Sequence, residues 1–320
     1  MTGIVYRSTG STYRIKADDG LFYECRIKGK FRMQGIKNTN PVAVGDVVDF
    51  DPAFGNEQDV GQITNIHPRN NYIIRKSVNL SKQTHIIASN IDLALLLITM
   101  DNPSTTTSFI DRFLVTAEAY SIPVLLVFQK CDTWHDEVLE NQQFMAWMYR
   151  KIGYPTINVS ALTGEGMIEI KTAIAHKTVV IAGHSGVGKS TMVNALQPGL
   201  QLKTTNLSES HQQGQHTTTF AEMYDLEGDA RIIDTPGIRG FGVVEIGSDE
   251  LGDYFPDFFA LKNECRFNNC LHREEPGCAI KAALDENKLF WSRYQSYLQL
   301  LDGDEDPYRH DDHNDRSKQN

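Results

Sequence analysis

Residues Gly183-His184-Ser185-Gly186-Val187-Gly188-Lys189-Ser190 constrain this chain more than any other stretch. An apolar run, Thr178-Val179-Val180-Ile181-Ala182, precedes them and reads as a buried strand. Thr191-Met192-Val193-Asn194-Ala195-Leu196 follows and reads as the first turns of a helix. The spacing is G-x-x-x-x-G-K-S, a loop whose glycines let backbone N–H groups come close to a phosphate. Gly183 through Thr191 are therefore candidate nucleotide ligands. Lys189 would lie along the β- and γ-phosphates, Ser190 would ligate Mg²⁺, and the helix N-terminus would add its positive end. Without a ligand the same stretch is a glycine-rich strand-to-helix turn.

Three further motifs bear on which nucleotide and which reaction. Asp234-Thr235-Pro236-Gly237 closes a strand read at Ala230 to Ile233. There Asp234 would reach the Mg²⁺ shell through water, and the Gly237 N–H would meet the γ-phosphate. Gln215-His216-Thr217-Thr218-Thr219 lies between that turn and the phosphate loop, and a threonine hydroxyl, Thr218 by choice, would complete the Mg²⁺ coordination. Three successive β-branched residues also suit an ordinary edge strand. Gln129-Lys130-Cys131-Asp132 follows the strand Val124 to Phe128. The Asp132 carboxylate can accept two hydrogen bonds from the N1–H and amino group of guanine, which adenine does not offer. Ser160-Ala161, after the next strand, supplies a backbone N–H for the guanine carbonyl.

Around these motifs the periodicity divides the chain. Residues 1–71 alternate in short strands broken by Ser8-Thr9-Gly10, Asp18-Asp19-Gly20 and Gly29, which suggests a small closed barrel of the oligonucleotide-binding type. An SH3-like barrel fits the same pattern. The first 37 residues hold eight Lys/Arg against three acids, although the whole chain carries a formal charge of −10. Tyr13, Phe22, Tyr23 and Phe31 beside those cations would suit base stacking. Residues 72–245 alternate strands with helices, the mark of a parallel sheet with ligands at the carboxyl ends of its strands. The helices are read at Ser108 to Tyr120, Asp136 to Ile152 and Glu165 to Ala175.

Cys265, Cys270, His272 and Cys278 fall within fourteen positions among polar neighbours, a set suited to a closed tetrahedral Zn²⁺ site in a module spanning 246–301. A helix is expected from about Ala279 to Leu301. Residues 302–320 hold seven acids against three basic residues and no apolar period, and read as a disordered acidic tail in which His310 and His313 are solvated. The five cysteines, an odd number, argue against a secreted disulfide framework. The longest apolar run, Leu93 to Ile98, is far too short for a bilayer. With no signal-peptide pattern at the start, a cytoplasmic monomer that does not contact membranes is expected.

The base-reading pair at 129–132 and 160–161 precedes the phosphate loop instead of following Asp234. With the flanking barrel and the cysteine cluster, this order resembles the RsgA (YjeQ) family of circularly permuted GTPases. The resemblance covers all but the tail. It implies GTP and GDP as ligands and a GTPase stimulated by the small ribosomal subunit. It further implies contact with rRNA and action late in subunit maturation. It also implies that the hydrophobic Ile238, where many GTPases carry a water-orienting Gln, is normal; His216 is then a candidate to order the water. One departure is that the family's N-K-x-D motif begins here with Gln129. An RNA-binding scaffold that holds guanine nucleotide without turnover is the competing expectation.

Overall fold

Strict alternation in the first strands decides which side chains face inward. The computed structural model describes residues 1–27, 41–53, 60–76, 84–198, 221–234 and 246–303. His216, Thr217, Thr218, Thr219, Gly237, Ile238, Phe31 and the tail from 304 lie outside them, as do Lys28, Lys30, Arg32 and Lys37. Strands β1 (Thr2–Ser8), β2 (Tyr13–Ala17), β3 (Phe22–Ile27), β4 (Val47–Asp51) and β5 (Gly61–Ile66) form the first group. β1 pairs with β2 and β2 with β3 in antiparallel fashion, β3 runs parallel to β5, and β4 is antiparallel to both β5 and β1. The circuit returns to β1, so the five strands close into a barrel without a free edge.

Val5, Tyr13, Ile15, Cys25, Val48, Phe50 and Ile63 fill the barrel. Burial pushes the Cys25 thiol up to about 12, as expected of a dry interior. Tyr13 is only 1% exposed. It shares the inward parity of Ile15 and Ala17 on β2, which corrects the expectation that it serves as a stacking platform. Phe22 does stand outside, with the Arg14 guanidinium 4.3 Å above its ring. Beyond the barrel, the buried Asp46 takes two 2.6 Å bonds from Arg69 and one from the Ser89 hydroxyl. Ser89 ends a separate antiparallel hairpin of β6 (Tyr72–Lys76) and β7 (Thr84–Ser89) that the sequence pattern did not suggest.

The remaining strands are β8 (Leu93–Ile98), β9 (Val124–Gln129), β10 (Thr156–Val159), β11 (Thr178–Ala182), β12 (Glu222–Asp225) and β13 (Arg231–Asp234). Their order is β10-β9-β8-β11-β13-β12, parallel throughout except for β12. β8 and β9 are buried at every position, which explains their unbroken apolar runs. Helix α1 spans Thr107–Ala119, α2 Asp136–Ile152, α3 Met167–Ile174 and α4 Lys189–Leu196. Met167, Ile170 and Ile174 of α3 and Met192, Val193 and Leu196 of α4 share one core with Leu93, Leu95, Leu97, Leu125 and Val127. β12 also pairs with β1 through Arg7 and Glu222, so barrel and parallel strands belong to one 11-stranded sheet. Asp225 fastens that seam, accepting from Tyr6 Oη and Lys16 Nζ at 2.6 Å each. Burial opposes its charge, but those two partners hold its carboxyl below the usual range.

Residues Thr105–Ala119 belong to a second compact unit together with the described residues from 246 onward. Its helices are α1, α5 (Pro256–Phe259), α6 (Ala279–Asp285) and α7 (Trp291–Leu301). The single helix expected over Ala279 to Leu301 is thus two helices. Asn287 takes φ 55° between them, and the Lys288 N–H bonds back to Ala283 O at 2.8 Å. Asn tolerates that left-handed conformation better than most residues, and it ends the helix there. Val115, Leu251, Phe255, Phe258, Ile280, Tyr294 and Tyr297 form the core of the unit. Arg293 is fully buried, bonded to Asp111 Oδ1 at 2.6 Å and to Asp257 Oδ1 at 2.8 Å. Among the described residues no helix is long and apolar enough to cross a membrane. Arg293→Met should lower stability by about 3–5 kcal/mol, because buried Asp111 loses the guanidinium that faces it. Denaturant unfolding of the full chain reads that loss.

Candidate nucleotide site and metal centre

The chain builds β8, then β9 and β10 to one side of it, and then lays β11 on the other side. The strand order reverses between β8 and β11, where an open α/β sheet leaves a crevice at its carboxyl edge. Gly183 to Ser190 lie at that edge. Gly183 has φ 144°, and a Cβ there would stand 2.7 Å from Leu97 O, so only glycine lets β11 turn so close to β8. Gly188, at φ 97°, caps α4 and hands the chain to Lys189 and Ser190 in the first helical turn. Val187 is fully buried and anchors the loop in the core, while Ser185 and Gly186 face solvent. Lys189 Nζ donates to Gly183 O at 2.6 Å and to His184 O at 2.5 Å, so the ammonium lies across the mouth of the loop. Thr191 is exposed on the next position of α4.

Asp234 ends β13, the next strand over. Burial pushes its carboxyl up, and the charge of Glu222, directly opposite on β12, adds to the effect. A cation at this edge would favour its ionised form.

On the other side of the crevice, Gln129 ends β9 and is 2% exposed. Its Oε1 accepts from the Lys130 N–H at 3.2 Å and the Ala161 N–H at 3.3 Å. Lys130 takes φ 63° and its ammonium donates to Asn102 O at 2.6 Å. Cys131 to Thr133 form one tight turn, which presents the exposed Asp132. Burial pushes the Cys131 thiol up to about 11, with Glu165 contributing, so it stays a neutral thiol. The buried Ser160 hydroxyl accepts from the Thr163 N–H at 3.1 Å, and the Ser160 N–H donates to Glu165 O at 3.0 Å. These bonds hold Ala161 in place. Sequence reasoning missed Asn102 and Pro103, which link both halves of the edge: Asn102 anchors Lys130, and Pro103 Cδ lies 3.5 Å from where a side chain on Gly186 would begin. The signal was an Asn-Pro pair four residues beyond the apolar strand β8.

In the second unit, one ligand atom each from Cys265, Cys270, His272 and Cys278 lies within 4.8 Å of the others. His272 Nδ1 is 3.6 Å from Cys265 Sγ and 3.4 Å from Cys278 Sγ. The connecting loop is pinned from outside. Tyr294 Oη donates to His272 O at 2.7 Å and Tyr297 Oη to Leu271 O at 2.9 Å. The Glu275 carboxylate accepts from the N–H groups of Leu271 and Arg273 at 2.9 and 2.8 Å. Burial pushes the Cys270 and Cys278 thiols up and His272 down, so all three favour their neutral forms. A metal ion would reverse this for the sulfurs by displacing their protons.

A family model described as RsgA GTPase matches residues 66–244, and one described as RsgA N-terminal domain matches residues 2–60. The chain belongs to the RsgA GTPase family. A relative from Flavobacterium psychrophilum is 59% identical over 98% of this chain and 97% of its own. Another, from Christiangramia forsetii, is 61% identical over 97% of this chain and 99% of its own. Both are named small ribosomal subunit biogenesis GTPase RsgA. Among solved structures, YjeQ from Thermotoga maritima superposes with a TM-score of 0.76 at 30% identity, covering 94% of this chain and 97% of its own. YloQ, described as a circularly permuted GTPase, gives 0.74 at 28% identity and 94% of both chains.

As a member of the RsgA GTPase family the chain is a GTP-hydrolysing enzyme. Its architecture is an N-terminal barrel, a central α/β GTPase domain in permuted order and a C-terminal module with a Cys₃His cluster that can hold a metal ion. For the phosphate loop of this RsgA chain, Gly183→Ala should force β11 away from Leu97. Thermal unfolding should fall by the equivalent of about 1–3 kcal/mol, and binding of a fluorescent guanine nucleotide should weaken with it.

Proposed function

We propose that this chain hydrolyses GTP across the carboxyl edge of β10, β9, β8, β11 and β13, and that it acts in biogenesis of the small ribosomal subunit. The observation that carries the reading is the arrangement of loops along one edge. Ala161, Gln129 to Asp132, Gly183 to Thr191 and Asp234 follow in spatial order although the chain supplies them in a permuted one. In this reading Asp132 accepts from the guanine N1–H and amino group, and the Ala161 N–H meets the base carbonyl. The N–H groups of Gly183, His184, Ser185, Gly186, Val187 and Gly188 wrap the phosphates, and Lys189 neutralises them. Ser190, Asp234 and Thr218 would hold Mg²⁺, which would supply charge neutralisation at the transferred phosphoryl group. Gly237 and His216 would serve the γ-phosphate and the attacking water.

The relatives' names support a small-subunit partner, and the barrel supports an RNA contact. Arg14, Lys16 and Phe22 stand on the outer face of β2 and β3, where barrels of this type take nucleic acid. A stacked guanidinium over an exposed ring is a ready base platform. Three thiolates and an imidazole in one closed cluster suit tetrahedral Zn²⁺ in a structural role. Residues 1–71, 72–245 and 246–301 serve as the three working parts, followed by an acidic tail over 302–320, in a cytoplasmic monomer.

Co-sedimentation with purified small subunits, under a non-hydrolysable GTP analogue and under GDP, tests the function when GTP turnover is measured in the same tubes. Tighter binding with the analogue and faster turnover with subunits are expected. Equal binding and unstimulated turnover would overturn the reading. Asp132→Asn should move preference from GTP to xanthosine triphosphate by at least tenfold, because the new amide donor faces a carbonyl at the 2-position. Cys270→Ser should lower bound zinc, measured by elemental analysis, from one ion per chain to well below one. The second unit should then lose stability while nucleotide affinity is retained.

A further inference from the structure

We infer that Gln129 is a built-in competitor for the base, its side-chain carbonyl taking the Ala161 N–H that a purine 6-carbonyl requires. The inference rests on the nucleotide site proposed above. The carboxamide is buried at the end of β9, and Oε1 accepts from two backbone donors, the Lys130 N–H at 3.2 Å and the Ala161 N–H at 3.3 Å. A carboxamide oxygen has two lone pairs, and both are engaged here. Nε2 points the other way, 3.4 Å from where a side chain on Gly188 would begin. The side chain therefore spans from the base-side loop to the last glycine of the phosphate loop.

A single N–H makes one good hydrogen bond, so a base carbonyl and Gln129 Oε1 cannot both hold Ala161. The bond of 3.3 Å lies beyond the usual N–H···O range and is correspondingly weak. A guanine carbonyl can displace it, at the cost of turning a buried carboxamide whose remaining acceptor contact is Lys130. Side-chain length decides whether this competition exists. An Asn at 129 would end about 1.5 Å short of the present carbonyl position, leaving the Ala161 N–H open. Gln129 thus sets how tightly and for how long the site holds its nucleotide, while Asp132 sets which base is chosen.

The test compares the full-length protein with its Gln129→Asn variant, using fluorescent GDP and IDP for affinity and dissociation rate. Gln129→Asn should bind both nucleotides roughly two- to tenfold more tightly, the worth of one neutral hydrogen bond, and release them more slowly. The gain should be equal for the two, because both bases carry the 6-carbonyl and differ only in the 2-amino group. Amide hydrogen exchange supplies a readout that a packing role would not move. The nucleotide-free variant should exchange the Ala161 amide faster than wild type, and added GDP should restore protection. A Gln129→Ala variant also frees that N–H and guards against an Asn-specific rearrangement. Weaker binding in both variants, or unchanged Ala161 exchange, would overturn the inference. If wild type binds neither nucleotide, the site itself is misassigned. If Asp132→Asn loses its GDP preference while Gln129→Asn is silent, the competition alone is wrong.

Discussion

Leu93 pairs with Val179 and Leu96 with Ala182 in the middle of the parallel sheet, where β8 is buried at every position. That pairing joins two stretches of chain that would otherwise have no reason to meet. Before it lie the strands that present Gln129, Asp132 and Ala161; after it come the glycine loop and Asp234. Parallel pairing forces every strand to point its carboxyl end the same way, so each following loop opens onto one edge. The close approach of Gly183 to Leu97 O is the local form of the same constraint.

This arrangement makes the permutation chemically neutral. A guanine nucleotide meets loops in space, and their order along β10, β9, β8, β11 and β13 is independent of where the chain starts. What permutation alters is connectivity. The residues after Asp234 lead to the cysteine cluster instead of to the base-reading strands.

Much of this was readable in the sequence, for reasons specific to each element. Gly183 to Ser190 declare themselves because fixed glycines and a lysine at that spacing have few other uses. Cys265, Cys270, His272 and Cys278 do so because three thiols and an imidazole within fourteen positions, among many polar neighbours, match a metal-ligand set. Tyr13 misled because alternation reports two faces without saying which is inside; only barrel closure decides. The break at Asn287 was hidden because Leu284, Trp291 and Leu298 recur every seven residues, as one continuous helical face would place them. Between β6 and β7 the sequence carries no Gly or Pro, the strongest markers of a tight connection. The contacts of Gln129 were invisible for a different reason. That one side-chain oxygen accepts from both the Lys130 and the Ala161 N–H depends on how separate loops converge, which no spacing encodes.

The union of β1 with β12 has a mechanical meaning. Arg7 lies opposite Glu222 and Glu222 opposite Asp234, so one transverse row of backbone runs from the wall of the barrel to the end of β13. Hydrogen-bonded ladders are stiff along that direction, and Asp225 rivets the row to Tyr6 and Lys16. The barrel is therefore not held by its connecting chain alone: a row of backbone pairing joins its wall to the strand whose last residue is the carboxylate at the phosphate-loop edge.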